Sequence, residues 1–129
     1  MQTERSVGAR HYKELIAWQL AEQFKNEIFS LVQASARAST DRPYAEQLAG
    51  AASSVTSNIA EGFLRFAPGD FRRFLDYALG SLAEAEGRLA DGIQLGYFDA
   101  ASCEQAFRFA KRCLVATVRL RQCQRISGR

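Results

Sequence analysis

FRRFLDYALGSLAEAEGRLADG, Phe71 to Gly92, is the stretch that decides the fold. Phe71, Leu75, Ala78, Leu82, Ala85, Leu89 and Gly92 recur at alternating steps of four and three. That rhythm, kept over about three heptads, is a helix with one seam turned toward a bundle. Gly80 and Gly87 then fall on the outward side. An exposed interior glycine costs about 1 kcal/mol relative to alanine, so the pair reads either as the approach of a second backbone, from another subunit, or as simple tolerance of that cost. Just upstream, FAPGD (Phe66–Asp70) breaks the chain and places Asp70 to cap the helix. Downstream, Gly96 stands where a C-cap glycine belongs.

Working outward, the segment Tyr44–Arg65 carries Leu48, Ala52, Val55, Ile59 and Gly62 on one seam. Its AGAASSVTS portion is short on bulk, so neighbours can approach closely. Before it, Tyr12–Ala36 repeats Ile16, Leu20, Phe24, Ile28 and Val32 at four-residue steps with Leu31 beside them, while Glu14, Glu22, Lys25 and Glu27 take the opposite face. A loop is expected over Arg37–Pro43. After Gly96, the turn YFDAAS offers Asp99 or Ser102 as caps for a fourth helix, with Phe107, Ala110, Leu114, Thr117 and Val118 inward. No stretch alternates apolar and polar residues for long. Four helices joined by short connections predict an all-α, antiparallel up-down-up-down bundle. Residues 11–125 form the single domain, 1–10 a flexible tail and 126–129 a frayed end.

The chain has 129 residues, 47% hydrophobic and 24% charged, a globular balance. No apolar run approaches the roughly 18 residues of a membrane span, and the first ten residues lack the apolar stretch of a secretory signal. A cytoplasmic, bacterial protein with no membrane partner is expected. Cys103, Cys113 and Cys123 lie ten residues apart, roughly 15 Å along one helix, too far to bridge. With no CxxC or His–Cys spacing they read as small hydrophobes off any common face. His11 is the sole histidine, so neither Glu-x-x-His pairs nor a Ser–His–Asp triad can be built. Glu61, Glu84 and Glu86 lack the spacing of a metal site, and no phosphate-cradling glycine loop is present. No catalytic residue, metal or cofactor is expected.

SSVTSNIAEGF (Ser53–Phe63), FRRFLDYALGSLAEAE (Phe71–Glu86) and LGYFD (Leu95–Asp99) together resemble the four-helix-bundle family of 23S rRNA intervening-sequence proteins, over about Leu15–Leu120. The chain is also similar to the accessory proteins of diversity-generating retroelements. The resemblance implies a homopentameric ring, no enzymatic activity and an association with nucleic acid. The chain departs from the family at Ala49, Gly50 and Ala51, where relatives often carry basic residues.

Charge supplies the remaining signal. The net charge is +3, yet after Glu104 there is no acidic residue, while Arg108, Lys111, Arg112, Arg119, Arg121, Arg125 and Arg129 follow. Arg108, Lys111, Arg112 and Arg119 fall within one broad helix face. A non-enzymatic oligomeric platform that binds RNA, DNA or a nucleic-acid enzyme there is the leading expectation. The alternative is a purely structural protein-interaction scaffold. A third reading, an active site shared between subunits, would gather Asn58, Glu61 and Glu84. Ser54, Asn58, Glu61 and Arg65 stack along one helix edge, with Glu61 set to pair with Arg65. Asn58, a mediocre helix former at mid-helix, calls for a specific hydrogen-bond partner, and the group reads either as a polar helix edge beside the core seam or as a buried polar contact with another helix or subunit.

Overall fold

The computed structural model describes residues 8–65 and 67–124, so the frayed end expected at 126–129 and most of the expected tail at 1–10 lie outside the described residues. Helices α1 (Ile16–Ala34), α2 (Ala36–Thr40), α3 (Arg42–Phe63), α4 (Pro68–Gln94) and α5 (Glu104–Cys123) follow in order, with 3-10 turns at Tyr12–Glu14 and Ala101–Cys103. The four long helices form a closed square in which α1 meets α3 and α5, and α4 meets α3 and α5. Neighbours run antiparallel. Along α3, Tyr44, Ser54 and Gly62 meet Arg88, Ser81 and Phe71 of α4 in descending order.

The core is filled by Phe24, Ile28, Leu48, Ile59, Phe71, Leu75, Leu82 and Leu89, all essentially inaccessible to solvent. Each contributes about 1.5–3 kcal/mol on burial. Every seam residue expected on α3 and α4 is buried. On α1, Leu20, Phe24 and Ile28 are buried and Val32 is half-buried, whereas Ile16 is 61% exposed. Ile16 opens the helix, and Ala17 and Ala21 take the inward positions beside it.

The fourth helix differs from expectation. Its inward seam is Cys103, Ala106, Ala110, Cys113 and Thr117, all buried. Leu114 and Val118 point outward, with Phe107 half-buried. Cys103 and Cys113 therefore share the inward face, and only Cys123 is exposed. The reason is rotational: the small side chains let α5 pack closely, and its larger aliphatics are displaced to the flank. Cys113 fits this site by donating to the Ala17 carbonyl of α1 at 3.6 Å.

The expected loop at 37–43 is largely the short helix α2. Ser35 adopts an extended backbone and its hydroxyl accepts from the Ala38 amide at 3.1 Å, capping α2. Asp41 then caps α3 by accepting from the Tyr44 amide at 3.3 Å, and Pro43 sits in the first turn, where its missing N–H has no consequence. From α2, Arg37 reaches the far end of α4 and donates to the Leu95 and Gly96 carbonyls at 3.2 and 3.3 Å. A cation is favourable at a helix C-terminus. Gly96, at φ 79°, closes α4 as expected, with the Tyr97 amide donating back to Gly92 at 2.8 Å and the Gly96 amide to Ile93 at 3.0 Å. The other expected caps are corrected. Asp70 lies inside the first turn of α4, paired with Arg73 at 3.2 Å, and α4 starts at Pro68 with no side-chain cap. Neither Asp99 nor Ser102 caps α5, because the 3-10 turn at 101–103 leads directly into it.

Tyr44 ties this end of the bundle together. It is 8% exposed, its hydroxyl donates to the Arg88 carbonyl at 2.6 Å, and it meets Tyr97 edge-on. Burial, reinforced by the charge of Asp91, pushes its phenol up to about 12. A raised acid pKa favours the neutral form in the fold, so its stabilising contribution is complete below pH 10 and lost as pH rises toward 12. Alkaline denaturation of wild type and Tyr44→Phe should differ in slope across that window. The shift amounts to roughly 2–3 kcal/mol of pH dependence, and identical slopes would remove Tyr44 as its source.

Candidate functional site

The four cations singled out on α5 are brought together on its outward face. Arg108, Lys111, Arg112 and Arg119 are all exposed, and none is ion-paired among the described residues. Arg108 donates to Gln105 Oε1 at 2.8 Å, a neutral partner. Arg121 stands apart, because it crosses to α4 and binds the Asp76 carboxylate, Nη2 to Oδ2 at 3.2 Å.

This face is not purely basic. Val115 is 43% exposed among the cations and Ile16 is exposed across from it on α1, while Leu114 and Val118, 42% and 36% exposed, lie on the flank of α5 toward α4, Leu114 one heptad before Arg121. Ile16, Leu20, Val115 and Ala116 floor an open groove of about 370 Å³ rimmed by Lys111, Arg112 and Arg119. Past Ala116 and Arg119 it runs into a second cleft of about 320 Å³ that reaches Leu15, Leu120 and Cys123. The charge pattern made the cations legible. Apolar bulk, by contrast, assigns Leu114 and Val118 to the core and so hides their exposure.

On α4, Gly80 and Gly87 are exposed as expected, and a methyl group built on either meets nothing within 4 Å in the subunit. Asp76, Ala83, Glu84, Ala90 and Asp91 are exposed along the same helix. Glu84 lies 3.7 Å from Arg88.

Ser54, Asn58 and Glu61 resolve into two separate arrangements. Asn58 is half-buried and donates to the Ser54 carbonyl at 2.8 Å and the Ser54 hydroxyl at 2.9 Å. That hydroxyl is 2.8 Å from Ser81 on α4, so the expected polar partner is local and ends in a bridge between helices. Glu61 is exposed and pairs with Arg65 at 2.8 Å, as its spacing predicts, and the Arg65 guanidinium lies over the Phe74 ring. Between them Ile59 is fully buried and Gly62 presses on the Phe71 ring, where a methyl group would come within 2.8 Å of Cδ1. The SNIAEG segment is thereby accounted for as the packing edge between α3 and α4.

Glu61 also lines an open cleft between α1 and α3 with Tyr12, Lys13 and Trp18. Glu84, on the outer face of α4, is not part of it. Among the described residues no group of three or more His, Cys, Asp and Glu could hold a metal ion. Among them no helix is long and apolar enough to cross a membrane. Glu86 is half-buried and pushed up by desolvation.

Helices α1, α3 and α4, the α3–α4 edge and the larger part of α5 fall within the region that matches a known family model. That model, described as 23S rRNA-intervening sequence protein, matches residues 13–117. The chain belongs to this family. No curated relative matches it. The matched span of this 23S rRNA-intervening sequence family member includes Arg108, Lys111 and Arg112 and stops two residues before Arg119. The match does not bear on the similarity to accessory proteins of diversity-generating retroelements.

Proposed function

We propose that this family member is a non-enzymatic, homo-oligomeric bundle that works as a protein-interaction scaffold, with the α1/α5 face as its self-association surface. The observation that carries this reading is the exposure of Ile16 and Val115 at a groove rimmed by Lys111, Arg112 and Arg119, cations with no ion-pair partner among the described residues. Scattered exposed aliphatics are ordinary, but two that face each other across an apolar groove form a patch of the kind that marks interaction sites. A surface evolved for phosphate alone gains nothing from them. The absence of catalytic function rests on the chemical inventory, with one histidine, placed on the exposed approach to the Tyr12–Glu14 turn. Five copies is the number implied by the family resemblance.

Light scattering at micromolar concentration tests the proposal. A mass several times the 14.3 kDa of one chain is expected, and a monomer would overturn it. The cations by themselves favour a second reading, sequence-independent binding of RNA or DNA through Arg108, Lys111, Arg112 and Arg119. It requires retention on nucleic acid at about 50 mM salt that falls steeply as salt rises.

A further inference from the structure

We infer that the occupant of the α1/α5 face is the outward face of α4 from a second copy, joined head to tail. The inference rests on the self-association proposed above and adds which surfaces meet. Three features of the chain fit one another.

The first is shape. Ile16 and Val115 project from the α1/α5 face at 61% and 43% exposure. The outward side of α4 has the opposite relief, with no side chain at Gly80 or Gly87 and open space above both. Interaxial distances depend on the side chains at the contact, and glycine allows the closest approach. A protruding valine or isoleucine meeting a glycine notch is a ridge entering a groove.

The second is charge. Lys111, Arg112 and Arg119 rim the groove with no carboxylate to meet them among the described residues. On α4 between Asp76 and Gln94 the charged residues are Asp76, Glu84, Glu86, Arg88 and Asp91. Arg88 borders the α3 edge, where its carbonyl accepts from Tyr44, and its guanidinium lies 3.7 Å from Glu84. Asp76 already holds Arg121. That leaves Asp91 as an outward acid with no ion pair among the described residues, and Glu84 as one held only by its long contact with Arg88.

The third is pitch. Arg112 and Arg119 are seven residues apart, as are Glu84 and Asp91, and Gly80 and Gly87. Each interval spans about 10.5 Å of helix. Two facing helices therefore present cations, acids and notches at one repeat, the arrangement by which flanking charges select partners in helix pairs.

Because α1 and α4 stand at opposite corners of the square, one copy can offer both faces at once. Such a contact is heterologous: it closes into a ring when the rotation between copies permits. It also covers Lys111, Arg112 and Arg119, so these cations are used within the assembly and are not available to phosphate.

The test is a charge exchange on the full chain, read by light scattering with helicity followed by circular dichroism. Arg112→Glu with Arg119→Glu, and separately Glu84→Arg with Asp91→Arg, should each weaken assembly at least tenfold. Combining all four should restore it. All four positions are exposed, so helicity should hold. Gly87→Leu gives an independent arm that alters no charge, and it too should reduce the assembled mass. An assembled wild type indifferent to the acid pair and to Gly87→Leu would overturn the inference while leaving the scaffold reading intact. So would a fourfold variant that stays dissociated. A monomeric wild type instead removes the scaffold reading itself. Loss of RNA retention in the arginine pair with no change of mass would assign the ridge to nucleic acid and overturn the inference.

Discussion

Alanine at Gly92 should destabilise the bundle by about 3 kcal/mol, the upper end of what overpacking costs. On propensity alone the change would be favourable by about 1 kcal/mol. The site reverses that sign. A methyl group there would collide with the Tyr44 hydroxyl and come within 2.6 Å of the Phe98 ring. Neither neighbour can retreat easily. Tyr44 is held by the Arg88 carbonyl and by Tyr97, and Phe98 is 8% exposed. Displacing the tyrosine would also forfeit its hydrogen bond, worth about 1 kcal/mol. Gly80→Ala provides the contrast: with open space above it, alanine should stabilise a dissociated subunit by up to about 1 kcal/mol. Urea midpoints of the two variants should move in opposite directions. A Gly92→Ala protein as stable as wild type would show that this end of the bundle is looser than its packing implies.

Phe71→Ala should be larger still, about 4 kcal/mol within the range for buried phenylalanine. Phe71 is 1% exposed at the start of α4 and meets Phe63 edge-on with ring centroids 6.2 Å apart. Its ring also fills the space above Gly62. Deletion would leave a void against a glycine, which has no side chain to move into it, so little relaxation is available. Against a typical domain stability of about 5–15 kcal/mol, the variant should be partly unfolded well below the wild-type melting temperature. A loss under about 1 kcal/mol would mean that the α3–α4 junction collapses readily around the deletion.

The contrast between α4 and α5 shows what sequence can carry. On α4 the seam alternates large and small apolar residues against charged ones, so period and hydrophobicity give the same face, and all seven expected positions are buried. On α5 the buried seam is cysteine, alanine and threonine, while leucine and valine lie outside. A reading that weights residues by apolar bulk assigns that face wrongly. Ile16, also expected inward, is now proposed to meet another subunit, a burial that a single chain's pattern cannot distinguish from its own core. Helix α2 was missed for a different reason. It is opened by the Ser35 side chain and closed by the Asp41 backbone amide, while the Asp41 side chain starts α3, and such polar residues resemble those of any loop. The cations of α5 and the outward glycines of α4 were legible because charge and spacing suffice to place them on an exposed helix face.

The thiols offer an internal clock for the fold. Cys123 is open to solvent, whereas Cys103 and Cys113 are sealed in the bundle, and burial pushes the Cys113 thiol up to about 11, away from its reactive thiolate. A thiol reagent should therefore count one cysteine per native chain and three after denaturation. The pace at which the second and third become labelled reports how often α5 swings away from α1, a breathing rate that no static contact records. It can be followed at micromolar protein without any mutation.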